Sequence, residues 1–141
     1  LKNKIKSLDL LVITRKQYME DKEYPIPKNL NECFDVLNEI FNESESDKNW
    51  FKTSEEDDAT TSLHHGLGMW IRNEWELWKK ESDMYNYFNK MGLWHADDMS
   101  SVILTSYHRF INGKELELKE QINHHLDYWK DYEKTNGPIQ K

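Results

Sequence analysis

Eight side chains in this sequence have the chemistry to hold a metal or move a proton: His64, His65, His95, Asp97, Asp98, His108, His124 and His125. A helical metal site needs its ligands on one face, as the His-Glu-x-x-His spacing provides. None of the histidines has that spacing. The neighbours His64–His65 and His124–His125 diverge by about 100° on a helix, so each pair offers one ligand in a given direction. Asp97 and Asp98 read more simply as acids at the start of a helix, where the helix dipole favours them. Nucleophilic chemistry has no better footing. Ser100, Ser101 and Ser106 have no base at a fixed spacing, and no Gly-x-Ser-x-Gly elbow occurs. Gly66-Leu67-Gly68 lacks the third glycine, the following lysine and the preceding strand of a phosphate loop, so a bend or a close helix approach is expected there. The reading is of no catalytic residue, no metal and no cofactor.

The elements that must carry these residues are helices. Asn29 to Asn42 has a capping residue, Glu32 three positions on, and an apolar stripe of Leu30, Cys33, Phe34, Leu37, Ile40 and Phe41. Cys33 on that stripe is a packed thiol rather than a nucleophile. Glu43 to Lys52 reads as a loop or acidic turn. Thr53 or Ser54 opens the next helix, which runs to a break near Gly66. From Gly68 to Lys80 the pattern is helical again, with Leu67, Trp70, Ile71, Trp75, Leu77 and Trp78 on one arc. Ser82 or Asp83 starts a short helix ended by Gly92. His95 to Phe110 follows, with Met99, Val102, Ile103, Ser106 and Phe110 inward and Asn112-Gly113 as its stop. Glu117 to Lys134 closes the series, with Leu118, Ile122, His125, Leu126, Trp129 and Tyr132 inward. Trp70, Trp75, Trp78 and Trp129 are expected in the core; Trp50 and Trp94 sit outside strong stripes. Glu74, Ser106 and His125 fall on otherwise apolar arcs. Burying a lone carboxylate is costly, so Glu74 is expected to meet a donor, with Arg109 or His125 the candidates.

The outcome is an all-α, single compact domain of about five or six short helices. Residues 1–24 form an N-terminal segment without a clear pattern, 25–135 the helical domain and 136–141 a tail. The whole has 141 residues, enough for one core.

Charge narrows the partners. The net charge is −7, and the stretch from Glu43 to Asp58 holds seven acids (Glu43, Glu45, Asp47, Glu55, Glu56, Asp57, Asp58) against Lys48 and Lys52. Phosphate affinity comes from clustered cations, so nucleic acid is a poor partner and a basic protein a good one. The contact face is placed on those seven acids, with Trp50 and Phe51 as apolar anchors. Cys33 is the only cysteine, which excludes an internal disulfide. No apolar run approaches the length of a membrane span, and a cytoplasmic location is expected.

From Pro27 to Trp129 the chain resembles an uncharacterised bacterial domain family, catalogued only as a domain of unknown function. The resemblance rests on Pro27 to Leu30, His64 to Trp78, His95 to Ser100 and Ile103 to Arg109, with Glu120-Gln121-Ile122 and Tyr128-Trp129 closing it. Three departures stand out: Glu74 in place of Asn, Glu76 where Gly is common, and Ala96 where Pro often opens the helix. The family carries no assigned activity, so it implies no catalytic residues. In size and type such chains resemble the small immunity proteins of bacterial toxin systems. That likeness implies an immunity protein that masks the active face of a cognate toxin, such as a basic nuclease of contact-dependent growth inhibition. No small-molecule substrate is evident. The alternative is a small metal-dependent enzyme or ligand-binding domain built on His95, Asp97, Asp98, His108 and Arg72.

Overall fold

A computed structural model describes residues 23–141 and places seven helices and no strand among them. The chain is all-α, with more helices than the five or six expected. The expectations for residues 1–22 lie outside the described residues.

Helix α1 spans Leu30–Asn42 and forms as its sequence predicts. Asn29 Oδ1 accepts from the Glu32 backbone N–H at 2.9 Å, and Glu32 Oε1 accepts from the Lys28 N–H at 2.9 Å. The first bond satisfies an N–H that a helix start leaves open, and the second ties the residue before the cap to the first turn. The apolar stripe is buried, and Cys33 has no solvent exposure. Burial pushes its thiol well up, so it stays protonated beside Met84 Sδ, 3.8 Å away.

Helix α2, Glu45–Thr53, replaces the loop expected over Glu43 to Lys52. Ser44 caps it, accepting from the Asp47 N–H at 3.3 Å. Its hold on the core comes from one aromatic side chain: Phe51 has no exposure and sits with its ring 4.8 Å from Phe41, 5.1 Å from His108 and 5.9 Å from Tyr107. One anchor in nine residues leaves no apolar period to read.

Helix α3, Glu56–Ser62, begins later than Thr53 or Ser54, and its first turn carries Glu56, Asp57 and Asp58. The chain turns over Leu63 to Gly66 into α4, Leu67–Glu74. Gly68 permits this close turn: its N–H donates to Leu63 O at 2.7 Å, and a Cβ there would stand 3.0 Å from that oxygen and 3.2 Å from Arg72 Nη1. The bend expected at the glycine pair is present. Helix α4 stops well short of Lys80, however. The Leu77 N–H reaches back to Arg72 O and Glu76 takes a φ of 56°. Regular 100° rotation ends there. Trp70, Trp75 and Leu77 remain buried, but Trp78 is 55 % exposed and Glu74 faces solvent.

Helix α5, Asp83–Asn89, is capped by Ser82 and followed by Gly92 at a φ of 104°. Helix α6, Ala96–Ile111, is the centre of the fold and packs on α1, α2, α3 and α4. Met99, Val102, Ile103, Leu104 and Tyr107 fill the space between them. Phe110 is half exposed instead of inward and stacks on Phe34 at 4.7 Å. Helix α7, Leu118–Asn136, lies against α6 with Ile122 alone of its side chains buried, and Tyr132 is exposed.

Candidate functional site

The acidic stretch proposed as a contact face does not form one continuous surface. Asp47 and Phe51 have no exposure, because α2 turns that side toward α6; neither is placed to touch a partner. Glu43 and Trp50 are half-buried. Glu45, Glu55, Asp57 and Asp58 are exposed. Glu56 is partly covered because it pairs with Arg109 of α6 through two bonds, Nε to Oε1 at 2.7 Å and Nη2 to Oε2 at 3.0 Å.

That pair stands at the edge of a cleft of about 360 Å³ between α3, α6 and α7. Helix α3 contributes Glu56, Asp57, Thr60 and Thr61; α6 contributes Ser101, Thr105 and Arg109. Helix α7 and its cap contribute Glu117, Glu120, Gln121, His124 and His125. A smaller cavity of about 180 Å³ shares Thr60, Thr61 and Ser101 with it and reaches His64 and Ser100. His124 and His125 are among the candidate ligands read from the sequence, whereas Glu117, Glu120 and Gln121 lie off the apolar stripe that marks α7 and carry no signal of their own. Glu117, Glu120 and His124, at three- and four-residue spacing, form a second stripe that faces the cleft.

Two arrangements shape the walls. The Arg109 guanidinium also donates from Nη1 to Leu116 O at 2.7 Å, and Gln121 Nε2 donates to Leu116 O and Ser106 Oγ at 2.9 and 3.0 Å. This ties the start of α7 to α6. The Arg109 hydrogen bonds hold Glu56 below the usual carboxylate range, and Glu56 raises Arg109 in turn. Deeper in, Asp98 accepts from the Trp129 indole N–H at 2.8 Å and pairs with His125 Nδ1 at 3.2 Å. Burial alone would raise the Asp98 carboxyl, but the His125 and Trp129 hydrogen bonds outweigh it and the net shift is downward.

The expected meeting of Glu74, Ser106 and His125 does not occur. Glu74 reaches solvent where α4 ends, Ser106 bonds Gln121, and His125 pairs with Asp98. The residues of the alternative reading are likewise divided. Arg72, 3 % exposed, donates to Ser100 Oγ at 2.9 Å and His64 O at 3.0 Å and stands 3.3 Å from Asp97 Oδ1. It clamps the α3–α4 turn onto the start of α6. Burial, then the Arg72 charge, lower the basicity of His64. His95 caps α6, its Nδ1 accepting from the Asp97 N–H at 3.1 Å. His108 lies on the opposite side of the core with Nε2 3.0 Å from Ser54 O. No three His, Cys, Asp or Glu side chains among the described residues are grouped to hold a metal ion.

Trp129 is half-buried rather than in the core. It belongs to a surface group in which its ring stacks on His95 at 5.5 Å and meets Trp94 at 5.0 Å. Trp78 approaches the same imidazole at 6.0 Å. No helix among the described residues is long and apolar enough to cross a membrane.

A central helix with five others packed against it and a polar cleft along its outer side defines a small all-α domain. The chain belongs to the family described as Domain of unknown function (DUF6794), whose model matches residues 26–111. The match covers α1 to α6 and ends at Ile111, so the α7 wall of the cleft lies beyond it. No curated protein and no solved structure matches the chain.

Proposed function

We propose that this chain is a protein-binding domain that captures a basic partner at the cleft between α3, α6 and α7. In its specific form the reading is an immunity protein that neutralises a cognate bacterial toxin. The observation that carries it is the charge of the lining: four carboxylates, Glu56, Asp57, Glu117 and Glu120, against the single guanidinium of Arg109, which Glu56 already holds. Glu55 and Asp58 extend the same sign outward. A net charge of −7 on a small domain supports fast capture of a cationic protein, since complementary fields steer encounter. A nuclease is the fitting target, because the face that binds phosphate must be positive. The reading puts the protein in the cytoplasm, where an incoming nuclease meets its substrate.

The test is co-expression with the product of the neighbouring reading frame, followed by measurement of nuclease activity and of association at rising salt. Stoichiometric inhibition is expected, with an association rate that falls as salt screens the two charges. Asp57→Lys with Glu120→Lys should slow association about tenfold or more. A toxin domain that stays fully active at a molar excess of this protein ends the immunity reading.

A further inference from the structure

The rings gathered around His95 leave an apolar surface that the fold does not finish covering. Of the five large apolar side chains exposed among the described residues, Trp78, Tyr128 and Tyr132 stand here. Trp78 joins the group through His95, and the two tyrosines flank the half-buried Trp129, with ring centroids 5.0 and 5.5 Å from it. Exposed tryptophan and tyrosine collected on one face suit a protein contact. The chain's own tail shows what this surface grips. Residues 137–141 follow α7 without regular structure and turn back toward the rings. The Ile139 N–H donates to Glu133 Oε2 at 3.0 Å, and Lys80 Nζ donates to the Lys141 carbonyl at 3.2 Å. The Lys141 ammonium stands over the Trp94 ring, 5.8 Å from its centroid. The first two contacts engage main-chain groups, which any peptide offers. The third selects a side chain, because the negative face of an indole attracts a cation.

We infer that this surface docks a lysine-bearing segment of the protein partner and that the tail holds the same seat until the partner arrives, an inference that rests on the basic-partner reading above. The incoming segment supplies an N–H to Glu133, a carbonyl to Lys80 two residues further on, and an ammonium to the Trp94 face. The surface is continuous with the cleft: Asp98 bonds Trp129 on this side and His125, which lines the cleft, on the other. The tail contacts are exposed or only partly buried, so each is weak and the tail leaves without any opening of the core. Because a seat occupied in cis lowers the apparent affinity by the fraction of chains that are free, removal of the Lys141 charge strengthens docking.

The experiment uses the full chain labelled with ¹⁵N and titrated with the peptide acetyl-Pro-Ile-Gln-Lys-amide, and in parallel with the same peptide carrying norleucine in place of lysine. The lysine peptide should move the indole N–H resonances of Trp94 and Trp129, and the norleucine peptide should bind about threefold or more weakly. Lys141→Gln, at an exposed position, should tighten binding of the lysine peptide about threefold to fivefold while the helical circular dichroism stays unchanged. Three results overturn the inference: no movement at Trp94, equal binding of the norleucine peptide, or no tightening in Lys141→Gln. The broader reading is judged separately by toxin inhibition. A toxin neutralised by a protein whose Trp94 ignores the lysine peptide sinks this inference alone. Peptide docking without any toxin capture sinks the immunity reading and leaves the lysine seat in place.

Discussion

Glu76 carries a backbone strain that its side chain does not require. Its φ of 56° is in the left-handed region, where a β-carbon costs roughly 1 kcal/mol and glycine costs little. The family resemblance puts glycine at this position, and the turn after α4 supplies the reason. The Glu76 carboxylate meets only Lys79, at 2.6 Å on an exposed surface. Such a pair contributes little. Glu76→Gly should therefore raise the thermal midpoint by about 2 °C, the relief of strain being partly offset by a freer unfolded chain. A lowered midpoint in calorimetry would contradict the strain. Asp98 makes a prediction in acid. Its carboxyl is depressed in the folded protein by His125 and Trp129 despite burial, so its stabilising effect is present above the unfolded value near 3.9. That effect disappears as pH falls through the lower folded value. Urea denaturation from about pH 5 downward should show a shallower loss of stability for Asp98→Asn than for the parent. Equal slopes would remove Asp98 from the account.

Among the elements, legibility followed the number of apolar anchors. Helix α1 has seven buried side chains and an asparagine cap three residues before Glu32, and its limits were readable from spacing alone. Helix α2 hangs on Phe51, so its acids looked like a loop; Ser44 followed by Glu45 and Asp47 was the overlooked start signal. Helix α4 was read too long because Trp75, Leu77 and Trp78 continue a plausible arc past the point where Glu76 turns the chain. The same error drew Glu74 inward and Trp78 into the core. The cleft was half legible. Asp57 was named from the acid run, but α7 was judged by its apolar face, and its polar face supplies the opposite wall. Gly68 was read correctly as a site of close approach. Gly68→Ala should destabilise the fold by about 1–3 kcal/mol, since a methyl would press on the Leu63 carbonyl and on the Arg72 clamp together. Chemical denaturation measures it; a neutral result would mean that the α3–α4 turn yields freely.

At the scale of the molecule, charge and core are separated by helix face. The apolar sides of five helices converge on α6, while among the described residues Asp47 is the one wholly buried carboxylate. The one sulfhydryl of the chain sits at the inner end of that arrangement. Cys33 is wholly enclosed between α1 and α5, so a thiol-directed dye has no route to it while the helices stay packed. Its rate of labelling consequently times the opening of the interior, a clock already installed in the protein and readable without any added tag.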